Sequence, residues 1–434
     1  MRMTEYSSPL LGERYYKIEH VSGLSIFVFP KKLTTTYAFF ATRYGSLDST
    51  FELLDTGERI CVPDGIAHFL EHKMFENADG SDSFAHFAAL GADANAYTSY
   101  NRTAYLFSCT EHFEESLSEL LRFVTQPYFT EASVQKEQGI IAEEIRMYED
   151  NPWDQCLQKL LEAMYQRHPV RKNICGTVES IQRITPALLE QCYRAFYTPT
   201  NMTLVICGDV SPETVMEGVD RVLPQQAVAP RARRLSEEDR DAVTAPYVSA
   251  RMQVSKPIFA IGITDRRFVG SSAERLRREL AMTMLDEILF SRSEPFYNSL
   301  FERGIVTPSF GSGYSCAEDF AFHCISGESD CPETVLNELK TYLSQVRESG
   351  ICEEAFERCR RVMYADEVRA YDSTEEIASR LLSLAFEDVE LFSCLEILQS
   401  ITKSELEELL KEAFEEDCFS LAVILPLENH DKKE

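Results

Sequence analysis

Positive charge is what this 434-residue chain has least of: 43 Lys and Arg stand against 71 Asp and Glu, a formal net charge of -28. Such a surface repels phosphate, which argues against a nucleic-acid partner and is compatible with basic peptides. No apolar run approaches the roughly 20 residues needed to cross a bilayer. Met1 to Arg14 carries Glu, Ser and Pro in place of an apolar signal core. The expectation is a cytoplasmic protein with no membrane span. The 13 cysteines are odd in number, scattered, and never spaced Cys-x-x-Cys, which suggests neither a disulfide framework nor a thiolate zinc site. Cys352 and Cys359, seven apart, read as two buried positions on one helix.

Histidine is scarce as well, with 8 in the chain, so the placing of two of them in the run Gly65-Ile66-Ala67-His68-Phe69-Leu70-Glu71-His72-Lys73-Met74-Phe75 carries weight. On a helix, residues four apart share a face one turn apart, so both imidazoles can reach one cation. A catalytic zinc site uses three protein ligands, leaves one position to water, and needs a nearby carboxylate to take that water's proton. The run offers two ligands, His68 and His72, and a base, Glu71. Its order, His-x-x-Glu-His, is the inverse of the commoner one and is itself a zinc hydrolase signature. A solvated histidine pair on a surface helix is the competing explanation, but Ile66, Phe69, Leu70, Met74 and Phe75 make the flanks apolar. Histidines on a largely buried helix need partners.

A chain of this length, with 44% hydrophobic and 26% charged residues, suits two or three globular domains. Strand patterns at Ser25 to Phe29 and Thr36 to Tyr44 read as antiparallel neighbours. Asp64 is a candidate N-cap for the histidine helix. Ala92 to Ser99 is small and polar, and precedes a clear strand at Thr103 to Ser108. It reads equally as a loop or as an edge strand with room for an extended peptide to pair along it. A long helix from about Glu131 to Tyr148 sets Glu137 and Glu144 seven apart on one face, where a carboxylate is available to complete the metal site. Later come a helix from Pro186 to Phe196 and a buried strand at Thr203 to Ile206. Between Pro224 and Pro246 the composition changes, with Arg231-Ala232-Arg233-Arg234 and Ser236-Glu237-Glu238-Asp239, and this stretch reads as a linker.

Beyond the linker the chain repeats itself. Glu131 to Glu149 aligns without a gap on Glu354 to Asp372, pairing Ala142 with Ala365, Glu144 with Glu367, Arg146 with Arg369 and Tyr148 with Tyr371. The helix of the second half that corresponds to the histidine helix, about Ala273 to Phe290, carries no histidine. The chemistry belongs to one half.

Taken together, the Gly-Ile-Ala-His-Phe-Leu-Glu-His run, the Ala-Asn-Ala-Tyr-Thr stretch and Glu-Glu-Ile-Arg-Met-Tyr-Glu-Asp-Asn-Pro resemble the M16 (pitrilysin-type) zinc peptidases, and within them the bacterial YmfH-like branch. The resemblance spans the whole chain. It implies an α+β fold of two homologous halves, each a mainly antiparallel sheet packed with helices, facing each other as a clamshell. The implied division is a zinc-binding domain over 1–225, a linker over 226–246 and an inactive repeat over 247–434. It implies one zinc ion held by His68, His72 and Glu144, with Glu71 activating water and Glu137 a further functional glutamate. The implied reaction is endopeptidase cleavage of peptides in an enclosed chamber, with substrate added as a strand along Asn95, Ala96 and Thr98. One departure stands out: where members usually carry an Arg and a Tyr in the second half, this chain has Phe301 and Thr307. The resemblance therefore implies a homodimer, or a heterodimer with a related subunit, and leaves as alternative a non-catalytic or partner-dependent subunit. Arg303 and Tyr314 lie close by in sequence.

Overall fold

The computed structural model describes residues 2–235, 239, 242–268 and 270–428. Within the expected linker, 236–238, 240 and 241 lie outside the described residues. The chain forms two compact α+β units, neither continuous in sequence. The first takes the residues up to Ile145, Asn173–Leu235 and Glu367–Ser393, and the second takes Arg146–Lys172, Ser236–Asp366 and the residues from Cys394.

The first unit is built on strands β1 (Arg2–Ser8), β2 (Glu13–Glu19), β3 (Ser25–Pro30), β4 (Thr36–Thr42), β5 (Thr50–Leu53), β6 (Arg59–Cys61), β7 (Asp93–Thr98), β8 (Thr103–Cys109), β9 (Met202–Gly208) and β10 (Ala232–Arg234). Seven form one sheet in the order β1-β2-β3-β9-β4-β8-β7, and β10-β5-β6 form a small second one. The expected pairing of β3 with β4 does not occur. β9 lies between them, parallel to β3 and antiparallel to β4. Its sequence, Met-Thr-Leu-Val-Ile-Cys-Gly, is buried at every position, and a strand apolar on both faces is stable only where both faces are covered, in the middle of a sheet. At the other extreme β7 alternates exposed and half-buried residues and pairs on one side only, so the stretch is a strand at the edge.

The second unit is built on β11 (Tyr247–Met252), β12 (Ile258–Thr264), β13 (Gly311–Cys316), β14 (Ala321–Glu328) and β15 (Phe419–Pro426), in the order β11-β15-β12-β14-β13. Each of the two large sheets is antiparallel apart from one pair, β3 with β9 and β11 with β15. The helix Pro152–Met164 packs on β12 and β15 of the second unit. Gly262 makes this possible, because a Cβ there would meet Met164 Sδ at 2.2 Å. The equivalent helix of the repeat, Thr374–Phe386, packs on β4 and β9 of the first unit. Arg43 fixes its end by donating to the Phe386 carbonyl, with the guanidinium 5.0 Å from that residue's ring centroid. Each sheet is thus covered by a helix from the other half of the sequence.

One smaller expectation changes. Cys359 is buried on the helix Glu353–Ala370, but Cys352 is exposed and precedes that helix. Its position before the first turn takes it off the apolar face.

Candidate active site

The histidine helix runs Ile66–Lys73, only eight residues, a length marginal in water on its own. Burial holds it. Ile66, Ala67, Phe69 and Leu70 are all buried, and each fully buried large apolar side chain contributes about 1.5–3 kcal/mol. The N-cap is Gly65, in the left-handed region at φ 89°, and no side chain caps the helix; the Asp64 expectation fails by one position. A Cβ on Gly65 would meet the Cys175 carbonyl oxygen at 2.4 Å, and one on Gly176, at φ +74°, would meet the Asp64 carbonyl oxygen at 2.4 Å. The two glycines let the 173–177 loop lie directly against the start of the helix.

Four residues apart, the His68 and His72 rings stand 4.6 Å apart between centroids. Glu144, from the helix Glu131–Asp150, closes the group: its Oε1 is 3.5 Å from His68 Nε2 and its Oε2 is 3.5 Å from His72 Nε2. The donor atoms of the three residues all lie within 4.8 Å of one another. Those contacts are long for hydrogen bonds. They suit donors around a shared ion, since atoms about 2 Å from a tetrahedral zinc are about 3.3 Å from each other. His68 Nδ1 is buried without a hydrogen-bond partner among the described residues. His72 is oriented from behind, with Nδ1 3.0 Å from Oε1 of the buried Glu137, an arrangement in which a carboxylate fixes the ring of a metal-binding histidine. The residues present fit a zinc ion.

Glu71 is buried, and Thr98 Oγ1 donates to its Oε2 at 2.6 Å. Burial raises the carboxyl above its ordinary value, against the opposing pull of His68 and the Thr98 hydrogen bond. For His72, burial alone would lower the value, but the bond to Glu137 and the charges of Glu71 and Glu144 outweigh it and leave it raised. The four groups form one electrostatic set that a cation would satisfy.

The edge strand adjoins this set. The β7–β8 hairpin is closed by Ser99 N–H donating to the Arg102 carbonyl at 2.8 Å, which fixes the alternation of the ladder. Asp93, Asn95 and Tyr97 bond to β8, while Ala94, Ala96 and Thr98 turn their backbone groups to the open edge. Consistent with this, Ala96 N–H donates to the Asn95 side chain at 2.8 Å. Of the three residues expected as substrate contacts, Ala96 and Thr98 turn backbone groups to the open edge. Asn95 faces its backbone inward and lines a cleft. That cleft, of about 980 Å³, also takes in Glu71, His72, Phe75, Phe84, Tyr128 and Ile140. Neither its aromatic wall nor the Thr98–Glu71 bond shows in any spacing of the sequence, because both depend on sheet register.

In the second unit, Tyr314 donates to Asp265 at 2.7 Å and Arg303 pairs with Glu338 at 2.9 Å. Thr307 bonds Glu328, and Phe301 is exposed. Among the described residues, no helix is long and apolar enough to cross a membrane.

An inverse His-Glu-His helix joined by a glutamate from a long helix, in the first of two repeated α+β units, defines a zinc-dependent hydrolase, and the chain belongs to peptidase family M16. The model of the insulinase family, peptidase family M16, matches residues 54–178, and that of the M16 inactive domain matches 183–363. Among relatives, the zinc protease YmfH of Bacillus subtilis strain 168 is 39% identical over 419 residues, covering 96% of this chain and 97% of its own. The crystal structure of an M16-like peptidase from Alicyclobacillus acidocaldarius superposes with a TM-score of 0.92 at 33% identity, over 97% of this chain and all of that one. A Helicobacter pylori protease shares the fold, with a TM-score of 0.84 at 17% identity, over 95% of this chain and all of that one.

Proposed function

We propose that the chain is a zinc endopeptidase that takes extended peptides along β7 and cleaves them beside the histidine helix. The observation that carries this reading is the convergence of the His68, His72 and Glu144 donor atoms next to a buried base on an open-edged strand. Zinc bound by that trio would lower the pKa of a coordinated water and polarise a carbonyl. Every other part of the chemistry falls to the chain. Thr98 holds one oxygen of Glu71, leaving Oε1 to accept the proton of the attacking water and to return it to the leaving amine. Glu137 keeps the His72 ring in place through Nδ1. Ala96 and Thr98 hold the peptide by backbone hydrogen bonds, so that sequence preference is loose and comes from the cleft. Thr98 thereby ties the register of the bound strand to the position of the base.

In this reading residues 1–225 carry the chemistry, 247–434 do not, and the protein works in the cytoplasm. A related subunit in a heterodimer supplies the Arg and Tyr that Phe301 and Thr307 cannot replace; a homodimer would bring only a second Phe301 and Thr307. The engagement of Tyr314 with Asp265 and of Arg303 with Glu338 supports the need for it. A missing donor of this kind costs about 100- to 1000-fold in rate.

The test is turnover of a mixed library of extended peptides by the purified protein, alone and with related subunits from the same genome, alongside metal analysis. One zinc per chain with slow cleavage, accelerated by a partner, is expected. Zinc binding without cleavage under any pairing would favour the non-catalytic alternative.

A further inference from the structure

Beside the trio sits a group that the mechanism above does not use. Cys175 is buried, and its Sγ lies 3.9 Å from His68 Nε2, the nitrogen that also faces Glu144. Sulfur about 2.3 Å and nitrogen about 2.05 Å from one tetrahedral zinc are about 3.6 Å apart. The observed separation exceeds this by a few tenths of an ångström. The sulfur is not one of the donors that lie within 4.8 Å of one another, so ligation would draw the side chain inward.

The backbone that carries the thiol has little freedom to retreat. Cys175 N–H donates to the Asn173 side chain at 2.8 Å, and Gly176 N–H to the Asn173 carbonyl at 2.9 Å. Ser180 Oγ donates to the Asp64 carbonyl at 2.7 Å, tying the helix after the loop to the residue that precedes the Gly65 N-cap of the histidine helix. The facing glycines, Gly65 and Gly176, permit this approach and no side chain could replace either without displacing the other strand of chain. The fold thus holds a thiol against the histidine ligand at a place where shape alone asks only for a small apolar residue. The carboxylates of Glu144 and Glu71 in the same cluster favour a cation there.

We propose that Cys175 is a fourth protein ligand of this centre, forming with His68, His72 and Glu144 a closed set that favours thiophilic divalent ions. The inference rests on the metal-site reading above. On ligation the S–H bond breaks, the proton leaves to water and the sulfur–metal bond forms, with no change of oxidation state. Four protein ligands leave no open position, so the closed set is a resting state from which water or substrate displaces the sulfur. Sulfur also tilts the centre toward softer ions.

The test is the near-ultraviolet spectrum of the full chain loaded with Co²⁺, because thiolate ligation gives a sulfur-to-cobalt charge-transfer band that nitrogen and oxygen ligands do not. The band is expected in the wild type and in a Cys109→Ala control, and its loss is expected in both Cys175→Ala and Cys175→Ser. In Cd²⁺ against Zn²⁺ competition followed by metal analysis, Cys175→Ala should lower the preference for cadmium at least tenfold. X-ray absorption of the zinc-loaded wild type needs no variant and should show one sulfur neighbour at about 2.3 Å. Bound cobalt with no charge-transfer band, a band that survives in both Cys175 variants, or a zinc shell of nitrogen and oxygen alone would each overturn the proposal. Failure of the underlying metal reading looks different: the wild type would then retain no more cobalt than a His68→Ala, His72→Ala double variant.

Discussion

The two units place the same hairpin beside the same kind of helix and finish it in opposite ways. In the first, β7 offers Ala96 at the position that β13 fills with Tyr314, and Tyr105 on β8 corresponds to His323 on β14, as the hairpin registers show. Next to β7, the two histidines of the helix converge on Glu144, and His68 Nδ1 is left without a partner among the described residues. Next to β13, they neutralise one another. Asp265 takes two hydrogen bonds from Arg278, at 2.7 and 2.8 Å, and a third from Tyr314, while His323 pairs with Asp286 at 2.6 Å. Matching Phe69 to Phe75 with Met284 to Phe290 sets Asp286 opposite Glu71 and Glu287 opposite His72. One scaffold thus supports a convergent His-His-Glu trio in one unit and paired charges in the other, although His323 Nε2 and Asp286 Oδ2 stay buried without partners among the described residues.

The largest effect expected from breaking this contrast is on the first unit. The His68→Ala, His72→Ala double variant should lose bound zinc and all measurable hydrolysis, read by metal analysis and peptide turnover. In the second unit, Asp265→Ala strands the Arg278 charge in a part-buried site, and loss of one partner from such a pair costs about 3–5 kcal/mol, measurable as a fall in the denaturation midpoint. The same network sets a pH dependence. Burial alone would raise the Asp265 carboxyl, but Arg278 and Tyr314 outweigh it and leave its value lowered. An acid depressed in the folded state adds stability above its unfolded value of about 3.9, and that stability is lost as pH falls through the lower folded value. Acid unfolding monitored below pH 4 should therefore show a contribution that Asp265→Asn abolishes.

Smaller effects separate binding from chemistry. Thr98→Val keeps the strand but removes a hydrogen bond to a carboxylate, a loss of about 1.5–3 kcal/mol, so kcat should fall roughly 10- to 100-fold with KM little changed, and Thr98→Ser should restore it. Ala96→Pro removes an N–H that faces the open edge and donates only to the exposed Asn95 side chain, and should raise KM severalfold with little effect on the melting temperature. Asn95→Pro breaks a bond to β8 and should destabilise the fold instead. Equal behaviour of the two proline variants would contradict the assigned edge.

Much of this was legible in the sequence because the signals are local. The His-x-x-Glu-His spacing, the seven-residue step from Glu137 to Glu144 and the repeat of the long helix all survive in linear order. Three things were not. The pairing of β3 with β9 needs a partner more than 170 residues away, and hydrophobic pattern alone favoured the nearer β4. The left-handed Gly65 cap follows from the close approach of Cys175, which only tertiary packing reveals. The reciprocal exchange of the helices Pro152–Met164 and Thr374–Phe386 leaves no compositional trace, since each is an ordinary amphipathic helix wherever it packs.

Whether the first unit separates its metal ligands from its base is decided by Glu71→Gln, which preserves shape and removes the basic oxygen. Metal analysis of this variant should show the zinc content of the wild type, while hydrolysis of an extended peptide that the wild type cleaves falls by at least about 100-fold. Retained cleavage at full zinc occupancy would contradict the account.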